Sequence, residues 1–138
     1  MTRQSLVAGC LSAILCVTLA AALSPPAHAE AVTLGGRNYE SLEAFLEGSW
    51  TWLRRDPPQI VRLRFGRDRS FSFNNETIKL THEGSYKGTG NGVEFVITRS
   101  CDTKECVDRA PPMVVNYQLR PETPNRFYSA DEEWNRDP

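Results

Sequence analysis

Histidine is nearly absent from this chain, whose 138 residues hold two, His28 and His82. That scarcity removes the commonest catalytic base and metal ligand from all but two positions. Cysteine is sparse as well, and none of the four (Cys10, Cys16, Cys101, Cys106) has a partner at the Cys-x-x-Cys spacing that redox and zinc sites favour. Neither sign of charge dominates: 16 basic and 17 acidic side chains leave a formal net charge of −1. This balance excludes the basic footprint of a nucleic-acid-binding domain. No nucleophile elbow, EF-hand loop, internal repeat, low-complexity segment or interdomain linker stands in the sequence. What remains points to one small domain without ordered catalytic machinery.

The long apolar run is confined to the N-terminus. Arg3 precedes the stretch Leu6–Leu23, and Ala27-His28-Ala29 sets small residues where a signal peptidase reads. Residues 1–29 therefore read as a cleaved secretory signal, and residues 30–138 as one exported domain, periplasmic or secreted. The run includes Gly9, Ser12 and Thr18 and ends in Ser24-Pro25-Pro26, which argues against a retained anchor and against stable membrane insertion. Val7-Ala8-Gly9-Cys10 has a lipobox-like form, but only Ser5–Gly9 would lead into it, too short for the apolar core of a signal. Cleavage removes Cys10 and Cys16. Cys101 and Cys106 then form an even pair in an oxidising compartment, most simply a disulfide.

Alternation of apolar and polar residues carries the fold. Val61, Leu63 and Phe65 alternate with Arg62 and Arg64, and Phe71 and Phe73 alternate with serines and Asn74. Ile78 and Leu80 continue the pattern, Asn91-Gly92 signals a hairpin before Val93, Phe95 and Ile97, and Val115, Tyr117 and Leu119 share one parity. Arg126–Ser129 and Glu133–Asn135 add short strands. Residues 99–113, with both cysteines and Pro111-Pro112, read as a long loop. Ser41 can cap one short helix carrying Leu42, Phe45 and Leu46, with Gly48 available to stop it. The expected fold is mainly β: a small antiparallel up-and-down barrel of about eight strands from Trp50 onward, with a two-sheet sandwich as the alternative.

Gly48-Ser49-Trp50 at the entry to the first long strand, and Trp134-Asn135-Arg136 at the chain's end, resemble the ends of bacterial lipocalin-like, calycin-type barrels. The resemblance implies a Trp50–Arg136 pair closing the barrel base through a cation–π contact, and an apolar interior able to hold a ligand.

The leading expectation is a non-enzymatic exported binding protein with no cofactor or metal, burying a small apolar or amphipathic ligand. Trp52, Phe65, Phe73, Phe95 and Tyr117 are the cavity-wall candidates, Trp50 and Trp52 sharing a parity. The alternative is an interaction module, such as an exported inhibitor of a protease or cell-wall hydrolase, presenting Asp102, Lys104 and Glu105 on the Cys101–Cys106 loop to a protein partner. Arg54, Arg55, Arg62, Arg64, Arg67 and Arg69 crowd a short span and form a candidate basic patch, Arg54, Arg62 and Arg64 foremost. Asp131-Glu132-Glu133 reads as a solvated acidic run. A Ser85–His82–Asp102 triad lacks any motif to support it. Asn75-Glu76-Thr77 forms a glycosylation sequon. Intact-mass spectrometry of the exported protein checks the processing: the expected species begins at Glu30 without lipid, and a chain retaining Cys10 would contradict it.

Overall fold

A computed structural model describes residues 30–138; the signal-peptide reading lies outside the described residues. Val32–Leu34 (β1) and Arg37–Tyr39 (β2) form a two-stranded hairpin, and Leu42–Leu46 (α1) is the helix. Ser41 caps it, its side chain accepting from the Ala44 N–H at 3.1 Å. The helix ends at once because Gly48, at φ +118°, turns the chain into the first long strand.

Nine strands follow. They are Gly48–Arg55 (β3), Pro58–Phe65 (β4), Ser70–Asn75 (β5), Leu80–Thr89 (β6), Gly92–Cys101 (β7), Cys106–Gln118 (β8), Arg120–Thr123 (β9), Arg126–Ser129 (β10) and Glu132–Arg136 (β11). Every pairing is antiparallel, and the sheet order is β8-β7-β6-β5-β4-β3-β11-β10-β9. The expected mainly-β up-and-down meander is thus borne out, with one strand more than alternation gave. The chain ends by pairing β11 onto β3, so the strands follow one another around a curl. The two edge strands, β8 and β9, are joined through Leu119 alone but do not pair with each other. The sheet is a half-barrel with a seam between β8 and the strands that return to β3.

Residues 99–113 are not a loop. β7 runs on to Cys101, β8 begins at Cys106, and only residues 102–105 turn between them. Cys101 and Cys106 stand opposite each other in register and form the expected disulfide. Pro111 and Pro112 are tolerated within β8 because they fall in a bulge, where the register passes from Ile97 opposite Met113 to Arg99 opposite Asp108 and neither proline has a partner on β7. Ile78, expected in a strand, lies in the β5–β6 turn. Asn75 builds that turn: its side-chain carbonyl accepts from the N–H groups of Thr77 and Ile78, both at 3.2 Å, while its amide donates to Gln59. The sequon asparagine is therefore buried and already used.

The core gathers where α1 meets the curl. Phe45, Leu46, Trp50, Phe65, Tyr86, Val93 and Phe127 belong to one buried cluster. Trp50 is fully buried, and its indole N–H donates to the Leu46 carbonyl at 2.7 Å. Arg136, on the last strand, lies over the Trp50 ring with its guanidinium carbon 4.2 Å from the centroid. The same guanidinium donates to the carbonyls of Phe45 and Glu47, both at 2.6 Å, and of Pro124 at 3.1 Å. Carbonyls left over at a helix C-terminus thus receive fixed donors. Gly48 is required here twice over, since a Cβ would stand 3.0 Å from an Arg136 nitrogen at a φ that L-residues rarely adopt.

Replacing Arg136 by Ala removes the ring contact and strands these carbonyls, for an expected loss of roughly 2–4 kcal/mol. Arg136→Lys should recover less than half of it, because a single ammonium cannot reproduce the planar fork. Chemical denaturation of both variants measures the difference; equal stability to the parent chain would refute this role.

Candidate functional site

The inward-facing side chains do not fill the half-barrel along its whole length. An apolar cavity of about 290 Å³ borders the buried core, which contributes Leu63, Phe71, Phe95, Ile97, Phe127 and Trp134 to its lining. Trp52, Phe73 and Trp134 wall it from β3, β5 and β11, while Ile97, Val115 and Tyr117 wall it from β7 and β8. An engineered apolar cavity of about 150 Å³ accepts benzene, so this one has room for roughly a dozen non-hydrogen atoms.

Four of the five expected wall residues, Trp52, Phe73, Phe95 and Tyr117, therefore line one space. Phe65 does not. It faces inward as its parity requires, but at the α1 end, buried against Tyr86 (ring centroids 4.8 Å apart) and Phe95 (5.9 Å). Trp50 and Trp52 separate in the same way: two residues along β3 carry the chain from packed core to cavity wall. Alternation fixes the face a side chain occupies and says nothing of depth along the barrel.

The opening lies along the seam. Met113 and Tyr117, wall residues on the free edge strand β8, are 37% and 43% exposed. Tyr117, Ser129 and Glu132 also line a shallow depression shared with Asn116, Gln118 and Ala130. The mouth thus lies where β8 faces the β10–β11 turn without pairing to it.

Three polar side chains reach the wall: His82, Ser129 and Glu132. The acidic run was expected to be solvated, yet Glu132 shares the parity of Trp134 and turns inward, because the β10–β11 hairpin turns at Ala130 (φ 52°) and starts β11 there. Its carboxylate accepts from the Trp134 indole N–H at 3.3 Å. Burial pushes its pKa up, against smaller downward pulls from that bond and from Arg54. His82 stacks on Phe73, its cross-strand neighbour, with ring centroids 5.5 Å apart. Its Nδ1 lies 2.8 Å from the Ser100 hydroxyl, which also accepts from Arg109. Burial, and then the charge of Arg109, lower the His82 pKa, so the ring is neutral at neutral pH. Its hydrogen-bonding partner is Ser100, not Ser85 or Asp102, so the triad does not assemble.

The remaining candidates lie elsewhere. No residue from 99 to 112 contributes to the cavity wall. Within the disulfide-closed turn, Asp102 folds back to accept from the N–H groups of Lys104 (2.7 Å) and Glu105 (3.0 Å), which lower its pKa. Asp102, Lys104 and Glu105 all remain exposed, with one Asp102 oxygen committed to the turn. Half of the basic patch is ion-paired: Arg62 pairs with Glu76 and Asp137, Arg67 with Glu47 and Arg69 with Glu43, while Arg55 is exposed. Arg54 donates to the Asp56 carbonyl, and Arg64 stands exposed on the outer face. Among the described residues no cluster of three potential metal ligands occurs.

No protein-family model matches this chain, and comparison with curated proteins and with solved structures likewise gives no match. The fold and the cavity define what is known: a curled antiparallel half-barrel with an aromatic-walled interior space.

The His82 environment has a measurable consequence. A histidine whose pKa falls on folding leaves the unfolded state binding more protons just below pH 6.5, so stability drops as pH falls through that range toward the lowered folded value. His82→Gln should flatten the stability–pH curve just below pH 6.5. Denaturant titrations across that window test it, and an unchanged slope would contradict the assignment.

Proposed function

We propose that this protein is a non-enzymatic exported binding protein, lipocalin-like in architecture, whose half-barrel interior holds a small apolar or amphipathic ligand. The cavity carries the reading. Side chains of β3 to β8, β10 and β11 converge on about 290 Å³ of space lined mostly by aromatic and aliphatic groups and bordering the packed core. Burying a ligand there removes apolar surface from water at roughly 25 cal/mol per Å². The seam beside β8 supplies an entry path without unfolding any paired strand. Arg136 over Trp50, the geometry that the Gly-x-Trp resemblance implies, supports the lipocalin-like architecture. The Cys101–Cys106 disulfide supports an oxidising compartment and with it export.

The test uses 2-naphthol, an uncharged probe of suitable size. Trp52 and Trp134 face the ligand space, so binding changes their emission. At about −0.5 kcal/mol per non-hydrogen atom, a one-to-one complex with a Kd on the order of 0.1 mM is expected. Val115→Phe, which puts a ring where an isopropyl group lines the cavity, should weaken binding at least tenfold with little change in thermal midpoint. Failure of the parent chain to saturate, or unaltered affinity in the filled variant, would overturn the proposal.

A further inference from the structure

The charged groups of the cavity wall are unequally matched. Glu132 is the single acid among the lining residues, and neither lysine nor arginine is among them. His82, the one basic side chain present, is engaged with Ser100 beside the fixed positive charge of Arg109. Arg54 is the cation whose charge acts on Glu132, yet it is exposed, donates to the Asp56 carbonyl at 3.2 Å and, among the described residues, forms no ion pair with Glu132. Among the described residues, the Trp134 indole is the group that hydrogen-bonds the Glu132 carboxylate, and it engages one oxygen only.

Aromatic rings line the same space as that carboxylate. Trp52 and Trp134 are tilted against each other with centroids 5.8 Å apart, and Tyr117 shares both the cavity and the mouth with Glu132. An ammonium group gains twice in such a place, from the ring faces and from a carboxylate in a partly dry environment. A carboxylate-headed ligand meets the opposite: like charge, with no basic wall residue to offset it.

From this arrangement we infer that the cavity is selective for charge and takes an amine-bearing aromatic or aliphatic amphiphile, its ammonium against Glu132 at the seam and its apolar body over Phe73 and Phe95. The inference rests on the ligand-binding reading above and narrows it. Burial already raises the pKa of Glu132, so a bound cation would supply the partner that the folded chain does not.

Three probes with one apolar body and different heads separate the possibilities: 4-phenylbutylammonium, 4-phenylbutan-1-ol and 4-phenylbutanoate, titrated at pH 7.5 into the full-length exported protein and followed by tryptophan emission and calorimetry. The ammonium should bind at least tenfold tighter than the alcohol, and the carboxylate weaker than both. In Glu132→Gln the ratio of ammonium to alcohol affinity should fall from at least ten to about one. The neutral probe reports that the variant cavity is still intact. Alcohol binding without an ammonium preference, or a preference that survives Glu132→Gln, would overturn this inference alone. Absence of binding by all three probes would overturn both it and the ligand-binding reading.

Discussion

The rest of the structure depends on one guanidinium. Arg136 sits four ångströms above the Trp50 ring and holds carbonyls from the end of α1 and from the β9–β10 turn. Those contacts join the two ends of the sheet-forming chain, because Trp50 lies on the first strand of the meander and Arg136 on the last, directly opposite it in register. Trp50 adds its own bond to the helix, through the Leu46 carbonyl. Without this junction the carbonyls ending α1 would need water, and the helix could not close the base of the curl as a dry plug.

Closing one end divides the interior. Near α1 the inward faces meet Phe45 and Leu46 and pack solidly. Farther along the strands no second helix among the described residues fills the space, and the sheet's edges, β8 and β9, do not pair. A nine-stranded sheet curled around one short helix therefore has packed core at one end and cavity at the other, from the same alternating pattern. The polar groups follow this division: the wall histidine and glutamate lie on the unplugged side, where some exposure offsets the cost of burying them.

Much of the fold was legible because antiparallel strands with one buried face write their period directly into the sequence. Val61-Arg62-Leu63-Arg64-Phe65 could hardly fold otherwise, and Ser41 stands as the helix cap it suggests. Three features were hidden, each for a physical reason. The first half of β8 reads as loop because Pro111-Pro112 looks like a breaker, although a bulge in the β7–β8 register leaves both prolines outside the ladder. The β1–β2 hairpin was signalled only by Gly35-Gly36, whose positive φ values suit a tight turn, between strands too short to show a period. Glu132 looked like one member of a surface acidic run, since inward direction depends on where β11 starts and not on composition. Phe65 shows the limit of parity: its face was legible, its depth was not.

The half-barrel has one dry, solid end and one accessible apolar space, and xenon distinguishes the two, because the gas occupies apolar cavities without needing a particular head group. Crystals of the protein pressurised with xenon should show density among Trp52, Phe73, Phe95 and Trp134, and none between α1 and Trp50. Xenon lodged beneath the helix, or no xenon anywhere inside the curl, would contradict the division of the interior on which the proposed function rests.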